Sequence, residues 1–175
     1  DRLTLSRFDS GHSELKLAQF SFEKAVRDTY SAILMEAQRH SHTITLDILP
    51  GLPPIVGDRE RILQVMMNIV SNSIKYTPEG GLIQISAGLA EARVWMVVDD
   101  NGIGIPQEDR GRIFERFYRV DKARSRESGG TGLGLSIAKE IVDRHHGTLT
   151  LVEKEGPGLS IRMELPIDGP GEVRT

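Results

Sequence analysis

Three groups of residues in this chain have the types and spacing to handle a nucleotide. Two are glycine-dense: Asp100-Asn101-Gly102-Ile103-Gly104, and Gly129-Gly130-Thr131-Gly132-Leu133-Gly134. Glycine has no Cβ, so its backbone amides can approach a base or a phosphate closely. Asp100 closes the apolar run Val94-Trp95-Met96-Val97-Val98, and an ionised carboxylate, which only accepts hydrogen bonds, suits an exocyclic amine such as that of adenine. The second segment runs into a helical pattern, whose first N–H groups would point at an anion. The third group is Asn68, Asn72 and Lys75, which fall on one stripe of a helix with the two Asn about 40° apart. An Asn carbonyl oxygen is a hard ligand that suits Mg2+, and Lys offers a point charge to phosphates. Each group also has a plainer meaning. Asp-Asn-Gly is a common turn, and an Asn and Lys stripe is commonly a solvated helix face. The turn alone leaves unexplained why Gly102 and Gly104 bracket an exposed Ile103.

Between the glycine segments, Phe114-Glu115-Arg116-Phe117-Tyr118-Arg119 interleaves aromatics with cations and is followed by Lys122, Arg124 and Arg126. Phe114 and Phe117 read as core residues of a short amphipathic helix. Arg119, Lys122 and Arg124 are candidates to neutralise a triphosphate, because a phosphoryl transition state needs positive groups around its oxygens. Other chemistry finds little support. His145-His146 closes a helix, where a His suits the dipole, and it has no third ligand in view. His40 and His42 flank a strand without an identifiable partner. The five Met and Trp95 read as core. Gly130, Gly132 and Gly134 lack the dinucleotide-binding spacing, and no Walker Lys and hydroxyl follow them.

These groups must be positioned by regular elements. Leu17 to Phe22 reads as a short strand, leading into a helix to His40 with Ala25, Val26, Tyr30, Ile33, Leu34 and Ala37 on one face. Thr43 to Leu49 alternates like a half-buried strand, and Pro50 to Pro54 reads as a loop. Asp58 caps a second helix to about Tyr76, carrying Ile62, Val65, Met66, Ile69 and Ser73 at helical spacing. Leu82 to Leu89 and Ala92 to Asp99 form a hairpin. Pro106 to Gly130 is a long polar connection, the mark of a lid or a binding loop. A third helix starts near Gly132 or Leu133 and stops at His146-Gly147, ahead of strands at Thr148 to Val152 and Leu159 to Leu165. The expected architecture is an α+β two-layer sandwich: one mixed sheet of about five strands with three helices on one face.

Composition sets wide bounds. At 175 residues, 38% hydrophobic and 27% charged, the chain suits one domain with one core. A net charge of −3 gives no global footprint for nucleic acid or an acidic membrane, so any phosphate affinity is local. The absence of Cys excludes disulfides, thiolate metal sites and Cys nucleophiles. No apolar stretch reaches membrane-spanning length and the first residues carry no signal-peptide pattern, so direct membrane contact is not expected of this segment.

Four segments in order, NIVSNSIKYTPEGG (68–81), DDNGIGIP (99–106), RIFERFYRVDKARS (112–125) and GGTGLGLSIAKEIVDRHHG (129–147), resemble the N, G1, F and G2 boxes of sensor histidine kinases. The opening LTLSRFDSG resembles the end of the second helix of the dimerisation and phosphoacceptor hairpin. The resemblance implies a Bergerat ATP-binding fold over residues 13–167, with residues 1–12 closing the hairpin and linker, a mobile ATP lid at about 106–130 and a flexible tail at 168–175. It implies ATP and Mg2+ as cofactors and transfer of the γ-phosphoryl group to a histidine. Its partners would be the hairpin domain of the same kinase and a response regulator receiver domain, in a cytoplasmic setting and a homodimeric parent that can be an integral membrane protein. Carried over by position, Asn72 would ligate Mg2+, with Asn68 beside metal and phosphates and Lys75 on phosphate. Asn68, Lys75 and Arg119 would serve the transfer itself. Tyr76 would flank the base, Asp100 would bind its amine, and Gly102, Ile103 and Gly104 would line it. Tyr118 and Arg119 would close over the phosphates, where Gly130, Thr131, Gly132, Leu133, Gly134 and Leu135 would place backbone amides.

Two alternatives remain beside the kinase: a hydrolytic ATPase of the gyrase, chaperone or mismatch-repair type, and a non-catalytic nucleotide-binding module. Hydrolytic relatives carry Glu where this chain has Asn68, and lack of that base suits an enzyme that avoids activating water. The chain departs from the family pattern in three places. The phosphoacceptor motif is absent and His12 lies beyond the helix end, so the chain alone is expected to bind ATP without phosphorylating itself. His146 stands where the first of two Gly is usual, and Leu159 stands where a small hydroxyl residue usually follows Gly158.

Overall fold

The computed structural model describes residues 14–115 and 134–170. Strand β1 (Ala18–Ser21) leads directly into helix α1 (Phe22–Arg39). Strands β2 (Thr43–Ile48) and β3 (Pro54–Gly57) precede helix α2 (Arg59–Lys75). The hairpin β4 (Leu82–Ala90) and β5 (Arg93–Asp100) follows, then helix α3 (Gly134–Arg144) and strands β6 (Thr148–Leu151) and β7 (Leu159–Pro166).

Local chemistry sets the helix ends. The Ser21 hydroxyl accepts from the Lys24 N–H at 3.0 Å and caps α1, and the Asp58 carboxylate accepts from the Arg61 N–H at 3.3 Å and caps α2. Helices α1 and α3 end alike. Ser41 (φ 59°) and His146 (φ 61°) take the left-handed conformation just past the helix, and the next N–H, of His42 or Gly147, returns to the carbonyl of Ala37 or Val142. A left-handed residue at this point is where Gly costs least.

Five strands form the mixed sheet β2-β4-β5-β7-β6, with β2 and β4 parallel and the other neighbours antiparallel. Alternation gives it two unlike faces. Ile83, Ile85, Ala87, Val94, Met96, Val98, Ile161, Met163 and Leu165 are buried with the apolar faces of the three helices. Burying each large side chain contributes about 1.5–3 kcal/mol. Arg59 of α2 reaches Asp28 of α1 at 2.7 Å, a clamp on the outside of that layer.

The expected two-layer sandwich is therefore the observed one, with corrections of detail. Strand β1 joins not the main sheet but a separate two-stranded ribbon with β3, pairing Ala18 with Gly57 and Ser21 with Pro54. A sequence pattern read as a proline loop hid β3, because Pro54 stands at its first position, where a missing donor is tolerated. Trp95 is not core: it lies on the open face, beside Gly88 of β4 and beneath the Arg162 guanidinium, 4.9 Å from the ring centre. Met35 is 67% exposed, whereas Met66, Met96 and Met163 are buried. The connection after Pro106 also begins in folded form. A 3-10 turn at Gln107–Asp109 and successive turns to Glu115 bury Ile113 and set Phe114 against the core. The rest of the expected lid lies outside the described residues.

Candidate functional site

The site grows from the junction between the end of β5 and the last turn of α2. Asp100 is the last residue of β5, on the sheet's buried face, and is 3% exposed. Its Oδ1 accepts from the Gly102 N–H at 2.9 Å and the Leu159 N–H at 3.1 Å, and the Ser73 hydroxyl of α2 bonds the same carboxylate. Burial pushes the carboxyl above the usual aspartate range. The bonds from Gly102, Ser73 and Leu159, and the charge of Lys154, pull the other way.

Backbone contacts hold the turn against the helix. The Ile103 N–H donates to the Tyr76 carbonyl at 3.1 Å, and a Cβ on Gly102 would stand 2.3 Å from that same oxygen. Only Gly allows the two segments to meet there. Gly104 lies against the Gly158 carbonyl, and Ile103 between the two is 51% exposed. Gly158 itself has φ 103°, and a Cβ there would fall 1.8 Å from the Asp100 carbonyl oxygen. The loop between β6 and β7 is thus the outer wall of the Asp100 turn. Beside Gly102, the Thr77 hydroxyl is buried and has no hydrogen-bond partner among the described residues.

One helical turn ties this wall to the Asn and Lys stripe. Asn72 precedes Ser73, and its Nδ2 donates to the Asn68 carbonyl at 2.9 Å, which leaves Oδ1 as the end of the carboxamide outside that bond. Its backbone carbonyl accepts from the Tyr76 N–H and closes the helix. Asn68, Asn72 and Tyr76 are half-buried and Lys75 is exposed. On α3, Gly134 opens the described helix, and Leu135 is half-buried against the core. Tyr118, Arg119, Gly130, Thr131, Gly132 and Leu133 lie outside the described residues. Among the described residues no group of three or more His, Asp or Glu is arranged to hold a metal.

Sequence reasoning missed Ser73, Leu159, Gly158 and Lys154. Ser73 carried a signal, a polar residue at an apolar-face position. The Leu159 contribution is a backbone N–H and carried none. The reading of His145 as a complement to the helix dipole is corrected. Its Nδ1 lies 2.9 Å from the Ile141 carbonyl and its Nε2 3.0 Å from the Asp58 N–H, so the ring donates to one and accepts from the other. That is a neutral imidazole, and burial holds its pKa below the usual histidine range. His42 likewise finds partners, with Nε2 at 2.8 Å from the Thr77 carbonyl.

Residues 57–169 match the family described as histidine kinase-, DNA gyrase B-, and HSP90-like ATPase. Sensor histidine kinase WalK of Bacillus subtilis (strain 168) is 40% identical over 172 residues, which is 95% of this chain but 27% of WalK. The nucleotide-free catalytic domain of histidine kinase ThkA is similar with a TM-score of 0.79 at 28% identity, covering 89% of this chain and 98% of that domain. ThkA in complex with the response regulator protein TrrA gives 0.77 at 25% identity, over 97% of this chain and 47% of ThkA. Full-length ShkA in complex with AMPPNP gives 0.83 at 28% identity, over 96% of this chain and 35% of ShkA. The match over most of its described length places the chain in the histidine kinase-, DNA gyrase B- and HSP90-like ATPase family, with the fold of histidine kinase catalytic domains.

Proposed function

We propose that this chain is the ATP-binding catalytic domain of a sensor histidine kinase, donating the γ-phosphoryl group of ATP to a histidine on a separate hairpin domain. The observation that carries this reading is the acceptor count at Asp100. A carboxylate offers roughly four acceptor positions, and Gly102, Leu159 and Ser73 account for three donors. The position left over suits the exocyclic amine of adenine. Gly102, Ile103, Gly104 and Tyr76 would then flank the base, with Ile103 supplying apolar surface.

From there the phosphates would run toward the half-buried face of α2. Asn72 Oδ1 would hold Mg2+, which when bound supplies charge neutralisation between phosphate oxygens. Asn68 would stand beside the metal and phosphates and Lys75 would contact phosphate. Asn68, a neutral carboxamide, offers no general base to activate water, which favours transfer to a side chain over hydrolysis. Tyr118, Arg119 and the segment from Gly130 to Leu135 are assigned to the phosphates by their motifs. The hairpin, a response regulator and a homodimeric parent would be the partners. No described helix is long and apolar enough to cross a membrane.

The test supplies γ-labelled ATP and Mg2+ together with the hairpin domain that bears the phosphoacceptor His. Label should pass to the hairpin, and Asn72→Ala and Asp100→Ala should abolish it. Normal ATP binding with an unlabelled native hairpin would overturn the kinase reading, and sustained release of inorganic phosphate by the chain alone would favour a hydrolytic ATPase.

A further inference from the structure

Lys154, in the loop between β6 and β7, belongs to no nucleotide-binding motif, yet its ammonium lies 2.7 Å from the Asp100 carbonyl oxygen and 3.1 Å from Asp99 Oδ1. Its side chain is 19% exposed, while Asp99 is 41% exposed. The ion pair with such an open carboxylate contributes little by itself. The bond to the Asp100 carbonyl is short and charge-assisted, the stronger kind. It also lands where position matters: the same carbonyl faces Gly158 of the same loop, and Asp100 pairs in register with Leu159, whose N–H holds the carboxylate.

We propose that Lys154 is a positioning residue of the base site, fastening the β6–β7 loop across the end of β5 so that the Asp100 carboxylate is held aligned for the amine of the base. The inference rests on the reading of Asp100 as the base acceptor. The groups that face Asp100 are the Gly102 N–H from its own turn, the Ser73 hydroxyl from α2, the Leu159 N–H from β7 and Lys154 from the loop. Asp99, next in the chain, points to the opposite face and meets the same ammonium. Of these groups Lys154 supplies the positive charge, and removing it leaves a buried carboxylate beside a second acidic residue.

The experiment uses the full chain without nucleotide first. The Asp100 carboxyl is titrated by carbon-13 NMR in the wild type, Lys154→Met and Lys154→Arg. Lys154→Met should titrate at higher pH, and Lys154→Arg should follow the wild type. AMPPNP affinity is then measured from neutral to acid pH in the same proteins and in Asp100→Asn. Lys154→Met should bind about threefold to tenfold more weakly, with its acid limb moved to higher pH, since one pKa unit corresponds to about a tenfold change in population. Coincident titration and affinity curves for Lys154→Met and wild type overturn the inference, as does Lys154→Arg behaving like Met. If Asp100→Asn binds AMPPNP as the wild type does, the base-site reading fails. If Asp100→Asn loses binding while Lys154→Met titrates and binds normally, only the role of Lys154 fails.

Discussion

The proposed base wall and the proposed phosphate side of this site are built on different principles. At the base wall, Asp100 is 3% exposed, and its geometry is fixed by N–H groups, a hydroxyl and glycine contacts from the chain itself. On the phosphate side, Asn68 and Asn72 are half-buried and Lys75 is exposed. A base has one shape, and recognising it by a single amine calls for a rigid acceptor; preorganisation avoids paying ordering entropy on binding. Phosphates and metal bring their own charge, so side chains with rotamer freedom can close on them. One element links both regimes: α2 sends Ser73 to the base wall and Asn72 to the other side.

The most damaging change should be on the wall itself. Gly158→Ala puts a methyl 1.8 Å from a backbone oxygen at φ 103°, where neither partner is a flexible side chain. Destabilisation of about 3 kcal/mol or more is expected, read by denaturant titration; a loss under about 1 kcal/mol would show that the wall is softer than its contacts suggest. Next, the two regions should separate by readout. Asp100→Asn should weaken nucleotide binding by about 10- to 100-fold with or without Mg2+, the scale of one hydrogen bond to a charged group, whereas Asn72→Ala should leave metal-free binding nearly unchanged and remove only the Mg2+-dependent gain. Calorimetry in EDTA and in Mg2+ distinguishes them. Equal losses under both conditions for both variants would erase the contrast.

A third test concerns the support behind the wall. His145 is held neutral between α3 and the cap of α2, with its folded pKa below the unfolded value. Its contribution is therefore complete above the ordinary histidine pKa and is lost as pH falls toward the depressed folded value. Melting temperature should drop across that acid range, and His145→Gln should show a shallower drop from a lower start. For Asp100 the sign is opposite: its folded pKa is raised, so its own term favours the fold below the unfolded pKa and is lost as pH rises through the folded one. Through the proposed base contact, which needs the ionised form, nucleotide affinity should instead fall on acidification. The smallest effect expected is a gain. His146→Gly relieves a left-handed residue at the end of α3 and should stabilise the chain by about 1 kcal/mol without altering nucleotide affinity.

Much of this was legible in the sequence because it rests on local periodicity and short motifs. Helical spacing marked the buried faces of α1 and α2, Asp58 announced its helix, and Asp100 with Gly102 and Gly104 stood out as a turn that does more than turn. Strand β1 was legible but its pairing with β3 was not, since the four residues of β3 follow a proline loop and carry no periodicity of their own. Trp95 was misplaced because an aromatic side chain within an apolar strand gives no sign of which face it takes when Gly88 and Arg162, far apart in sequence, prepare its seat.

By itself, then, the sequence determined which residue types stand at which helix and strand positions, and through four ordered motifs the family and its nucleotide chemistry. Tertiary structure alone decided that Leu159 and Ser73 complete the Asp100 cradle, that Gly158 walls it, that Lys154 fastens it and that His145 is locked neutral. Those contacts join positions separated by 27 to 87 residues. A hydrogen bond or a steric wall is fixed by distance in space, and a backbone N–H carries no residue identity from which that distance might be read.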